Sequence, residues 1–118
     1  MNPISAEALA AARAQLDAAE EKRENILLAH IANGVKIEDR TVRIDESVTI
    51  APGAAILAGT ILRGNTVIGP GCVIGPNSLI EDSIIDEGTT VNASQVYGSH
   101  LGPHNNIGPF THVRVNTV

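Results

Sequence analysis

Aromatic side chains are nearly missing from this sequence: there is no Trp, one Phe and one Tyr among 118 residues. A core built on ring stacking is excluded, so the hydrophobic energy, roughly 25 cal/mol per Å² of buried apolar surface, must come from Ile, Val, Leu and Ala. Cysteine occurs once, which excludes an internal disulfide, and Cys72 reads as a small buried thiol rather than a nucleophile. Basic residues are also few: eight Lys and Arg against thirteen Asp and Glu give a net charge of -5. Scattered along the chain, they lack the clustering of a nucleic-acid footprint, and no nucleic-acid partner is expected. No apolar run is long enough to span a bilayer, and the N-terminus lacks the order of a secretion signal. A cytoplasmic protein of one domain, with no membrane partner, is the expectation.

What is present falls into two segments with different periods. Residues 1–40 read as a helix and linker. From Ser5 to Ala32 the chain is free of Gly and Pro and rich in Ala, Glu, Leu and Arg, all good helix formers. Ser5 is the expected N-cap, and Asn33-Gly34 the stop. Leu9, Ala12, Leu16, Ala19, Ile26 and Leu27 fall on one face, which we expect to dock this solvated connector on the rest of the molecule.

Residues 41–118 carry a repeat. Ile44, Ile50, Ile56, Leu62, Ile68, Ile74 and Ile80 follow one another at intervals of six residues. Four residues after an aliphatic comes a smaller side chain: Val48, Ala54, Thr60, Thr66, Cys72, Ser78. The phase slips by one at Ile85, runs through Val91 to Tyr97, slips by two at Leu101 and resumes through Ile107 and Val113. Neither helix nor simple strand has this period. A short strand plus a corner does, with the aliphatic and the small residue pointing into a narrow lumen and Gly or Asn turning the corner. Three such units make one triangular coil, so residues eighteen apart stack: Ile44 on Leu62 on Ile80, Ile50 on Ile68, Ile56 on Ile74. The fold class is therefore mainly β, a parallel β-helix of about four coils preceded by one long helix, its coils spaced by about 4.8 Å. The residue before a core aliphatic faces outward and is often apolar, as at Ile61, Val67, Val73, Leu79, Ile84 and Val96. Something must cover such stripes, and a homotrimer is expected.

The order GNTVIGPGCVIGPNSLIEDSIIDEGTTV, a slipped repeat and then NNIGPFTHVR resembles the start of the C-terminal acyltransferase domain of a known family. That family is the bifunctional N-acetylglucosamine-1-phosphate uridyltransferase and glucosamine-1-phosphate acetyltransferase, whose preceding linker is similar to ANGVKIED. The resemblance implies a left-handed β-helix and a place in UDP-N-acetylglucosamine biosynthesis, with acetyl-CoA as co-substrate of the complete domain. It also implies that Arg114, following Gly108-Pro109-Phe110, binds the sugar phosphate, a role suited to the guanidinium fork. The chain departs from the family pattern at Val115-Asn116, where the family has Pro-Gly or Pro-Asp. The family's catalytic His and coenzyme-A coils would lie beyond Val118, and its nucleotide loop is not found. Within this chain we thus expect no catalytic residue and no bound cofactor. The last coil stops mid-pattern, leaving an open strand edge, and a truncated C-terminal end is expected.

Two other readings remain. One is a non-catalytic trimeric β-helical scaffold. The other is a zinc protein resembling carbonic anhydrase, which would need His100, His104 and His112 to converge at about 2.0 to 2.1 Å from the metal. Exposed histidines at loops are the plainer reading, so no metal site is assigned. The carboxylates Asp45, Glu46, Glu81, Asp82, Asp86 and Glu87 read as solvated turns.

Overall fold

The computed structural model describes residues 3–115. It opens with α1 (Ala6–Ala32), closed in front by Ser5, whose hydroxyl accepts the Ala8 N–H at 3.0 Å. At the back, the Asn33 N–H still reaches the Ala29 and His30 carbonyls, and Gly34 takes a left-handed φ of +91° that ends the helix without steric penalty.

Short strands follow: β1 (Lys36–Ile37), β2 (Arg43–Ile44), β3 (Thr49–Ile50), β4 (Ala55–Ile56), β5 (Ile61–Arg63), β6 (Val67–Ile68) and β7 (Val73–Ile74). After them come β8 (Leu79–Glu81), β9 (Ile84–Ile85), β10 (Thr90–Val91), β11 (Gln95–Tyr97), β12 (His100–Leu101), β13 (Asn106–Ile107) and β14 (His112–Val113). Every third strand pairs in parallel, which gives three faces: β1-β4-β7-β10-β13 is face 1, β2-β5-β8-β11-β14 is face 2 and β3-β6-β9-β12 is face 3. The result is a β-solenoid of about five turns. Ile44, Leu62 and Ile80 stand in register, as do Ile50 with Ile68 and Ile56 with Ile74, the eighteen-residue stacking that the repeat implies. Strand β1 also joins the stack, Ile37 against Ile56, so the first turn begins inside the stretch read as helix and linker.

The core is one aliphatic column. Ile56, Leu62, Ile74, Ile80, Val91 and Val96 are all 0% exposed, and the smaller residues Thr60, Thr66 and Cys72 share the lumen with them. Beyond Ile80 the inward positions are Ile85, Val91, Val96, Leu101, Ile107 and Val113, which corrects the expected register at two residues. Val96, expected outside, pairs with Ile80 in the column, while Tyr97, expected inside, pairs with Glu81 on the outer surface. The unit is better described as a small residue two places before the aliphatic, here Ser94 before Val96. Counting back from Ser94 and Ser99 yields single slips at Val96 and at Leu101 instead of one double slip. A phenol ring has no room in a lumen sized for Val and Ile, and the alternation of β11 sends Gln95 and Tyr97 outward together.

Each slip is a corner shortened to two residues: Glu81-Asp82, Asn92-Ala93 and Tyr97-Gly98. In each the second residue has a left-handed φ, 49° at Asp82, 44° at Ala93 and 53° at Gly98. A serine then closes the corner by donating to the carbonyl two residues back: Ser83 to Glu81 at 2.9 Å, Ser94 to Asn92 at 2.8 Å, Ser99 to Tyr97 at 2.8 Å. The same hydroxyls accept from the next turn, Ser83 from the Ser99 N–H at 3.1 Å and Ser94 from the Thr111 N–H at 3.0 Å. Buried polar groups at the corners are thereby satisfied.

Only the last turns of α1 dock, against β1 and β2. Leu27 is 5% exposed, and Arg23, Ile26 and His30 are half-buried around it. Residues 3–22 are exposed throughout, including Leu9 and Leu16, which the stripe had placed against the core. The stripe exists, but the solenoid underlies only its C-terminal end.

Candidate functional site

The Gly108-Pro109-Phe110 stretch forms the corner between faces 1 and 2 in the last turn described. Gly108–Pro109 is a cis peptide, and Gly108 has φ +100°, where a β-carbon would overlap the Asn92 carbonyl. Phe110 follows with a left-handed φ of 61°, its N–H donating to the Ala93 carbonyl at 3.0 Å and its ring 90% exposed. A bulky residue in that conformation, gaining no burial, is an outlier of the kind found at functional sites. The equivalent corner position is Gly in several other turns, such as Gly59 and Gly88, and Asn at Asn77.

Beyond the corner, β14 puts His112 outward beside Gln95 and Val113 into the column beside Val96. The His112 ring meets Tyr97 edge-on, with centroids 5.3 Å apart and planes at 71°. Continuing the Val96–Val113 register brings Arg114 into the outer row that contains Arg63, Glu81 and Tyr97. Its side chain is exposed, and its carbonyl accepts the Ser99 hydroxyl at 2.9 Å. The end of face 2 therefore gathers a guanidinium, an imidazole and a phenol, with the exposed Phe110 ring at the corner that precedes β14. Such a set can hold a phosphate by charge-assisted hydrogen bonds and offer ring surface to a sugar.

The three histidines do not come together. His112 projects from face 2, His104 turns a corner with φ 56°, and His100 on face 3 has its Nε2 2.8 Å from an Asp86 carboxylate oxygen. Among the described residues no group of three or more His, Cys, Asp or Glu side chains is placed to hold a metal. Nor are all the corner carboxylates merely solvated: besides Asp86, Glu81 lies 3.9 Å from Arg63, and Glu46 is 2.9 Å from Lys22. Cys72 is fully buried, burial pushes its thiol pKa up, and its Sγ lies 3.0 Å from the Asp86 carbonyl. It is no nucleophile.

A second gathering was not foreseen from the sequence. Lys22, Arg23, Arg43 and Arg63, which look scattered along the chain, line one cleft of about 520 Å³ between α1 and face 2. The available signal was the coil period, which stacks residue 61 on Arg43 and leaves Arg63 two places further along the same outward face.

Residues 44–118 match the family model described as GMPPB C-terminal domain. The chain belongs to that family. The match begins at Ile44 in β2 and runs through the whole of the remaining solenoid, so α1 and β1 lie outside it while the Phe110–Arg114 corner lies within. A comparison with curated proteins finds no match. Membership in the GMPPB C-terminal domain family supports a hexapeptide-repeat domain of nucleotidyltransferase type. No helix among the described residues is long and apolar enough to cross a membrane. The departure from the resembled pattern involves Val115, which is exposed, and Asn116, which lies outside the described residues.

Proposed function

We propose that this domain serves a cytoplasmic transferase of UDP-N-acetylglucosamine biosynthesis, presenting Arg114 on face 2 to an amino-sugar 1-phosphate. The observation that carries this reading is the grouping of Arg114 and Tyr97 with His112 of β14, the strand that follows the strained Phe110 corner. Arg114 supplies the bidentate fork for the phosphate, and His112 adds a hydrogen-bonding group on the adjacent outward position. On this reading acetyl-CoA is the co-substrate of the complete acyltransferase domain. Calorimetric titration of the chain with glucosamine-1-phosphate tests the reading. Binding is expected, with affinity reduced at least about tenfold by Arg114→Ala, since the charge-assisted bonds are lost. Equal binding by the variant would exclude it.

A second reading, a non-catalytic homotrimeric scaffold, is favoured by apolar side chains on the outer faces. Val67 and Ile84, neighbours on face 3, are 41% and 42% exposed, and Val73 on face 1 is 36% exposed. Burying these rows against other copies would remove their apolar surface from water. A sedimentation mass of three chains supports it; a monomer at micromolar concentration opposes it.

A further inference from the structure

We infer that the cleft between α1 and face 2 is a binding site for a small phosphorylated ligand, separate from the Arg114 corner. Its floor is apolar, formed by Ile26 from the helix and by Ile44 and Ile61 from β2 and β5, and its walls carry Lys22, Arg23, Arg43 and Arg63. Half of the chain's eight basic side chains thus meet at one place in a molecule of net charge -5.

The acidic side chains neutralise this cluster only in part. Of the two that line the cleft, Glu46 is engaged by Lys22 at 2.9 Å and Asp45 accepts the Gly64 N–H at 3.1 Å. Glu81, outside it, stands 3.9 Å from Arg63, too far for a good hydrogen bond. Arg23 is committed to the carbonyls of Arg40 and of Val42, the latter at 3.2 Å, and lies 3.6 Å from Glu20, while its buried Nε–H has no acceptor among the described residues. The Arg43 guanidinium has no acceptor among the described residues. Arg43 and Arg63 therefore leave most of ten N–H donors open over an apolar floor, counting five for each guanidinium.

These features define the ligand. Two guanidinium forks suit a phosphate monoester dianion better than a carboxylate, which offers only two oxygens. Ile26 and Ile61 give a flat apolar contact for a ring attached to that phosphate. A volume of about 520 Å³ is of the size that takes a mononucleotide or sugar phosphate. Three strand spacings separate β5 from β14, about 14 Å at about 4.8 Å each, so the cleft and the Arg114 corner are separate loci on one face. The inference does not rest on the sugar-phosphate role of Arg114.

The test uses the whole chain, titrated with inorganic phosphate, uridine monophosphate and uridine at constant ionic strength, with backbone amide NMR shifts as the readout. Phosphate and uridine monophosphate are expected to move the β2 and β5 amides and uridine to leave them in place. Arg43→Gln and Arg63→Gln should each weaken that response by about tenfold, because a charge-assisted pair of bonds is removed. Arg13→Gln, a charge-matched change on the exposed part of α1, should leave it unaltered. Arg43 and Arg63 both lie at the surface, and thermal melting checks that the variants fold. No shift at β2 and β5, or an equal response in the Arg43 and Arg63 variants, would overturn the inference. Shifts confined to β14 would do the same, while leaving the Arg114 reading intact.

Discussion

At the scale of single residues, the corner serines matter most. Ser94 is 2% exposed, donates to the Asn92 carbonyl and accepts the Thr111 N–H. Ser94→Ala should therefore destabilise the chain by about 1 to 3 kcal/mol, the cost of a buried donor left unmade, as read by chemical denaturation. The same change at exposed Ser47 should be close to neutral, although its hydroxyl also reaches a carbonyl, that of Gly64 at 2.6 Å. Cys72 should resist thiol reagents in the native protein and react only on unfolding, because it is buried and its pKa is raised; rapid native labelling would contradict its placement. Ser94 also explains a misreading of the sequence. Counting six residues from Val91 lands on Tyr97, whereas counting two from Ser94 lands on Val96, the residue that is 0% exposed. Spacing between aliphatics hides corner shortening; spacing from the small residue does not.

At the scale of elements, α1 and the solenoid differ in how openly their packing is written. Helix limits followed from Ser5 and Asn33-Gly34, since capping is local chemistry. The docked length did not, because an apolar stripe records only which face is available and not how far a partner extends beneath it. Leu27→Ala should cost about 2 to 5 kcal/mol, and Leu16→Ala, at a position 68% exposed, almost nothing in the isolated chain. His30 adds a pH term. Burial lowers its pKa from the ordinary 6.5, so the unfolded chain binds the proton more readily than the folded one. Its contribution to stability is complete above 6.5 and declines as pH falls through that value toward the lower folded pKa. His30→Leu should flatten this part of the pH profile of the melting temperature; an unchanged profile would show that His30 is not buried at the helix dock.

At the scale of the whole molecule, the β-helix was legible because one period runs through it, and the eighteen-residue stacking of Ile44, Leu62 and Ile80 is reproduced in the register. The basic cleft was not legible, because it joins a helix to a coil across some twenty residues of sequence and neither period connects them. The histidines show the converse, being close in sequence but divided between faces 2 and 3 and a corner. The exposed apolar pair Val67 and Ile84 lies on face 3, whereas Tyr97, His112 and Arg114 gather on face 2 as the surface for polar ligands, and that division is the centre of the account. It is tested most directly by mapping amide NMR shifts on adding glucosamine-1-phosphate. The account predicts shifts at Tyr97, His112 and Arg114 that are lost in Arg114→Ala. Shifts centred on Val67 and Ile84 of face 3, or none at Tyr97, His112 and Arg114, would contradict it.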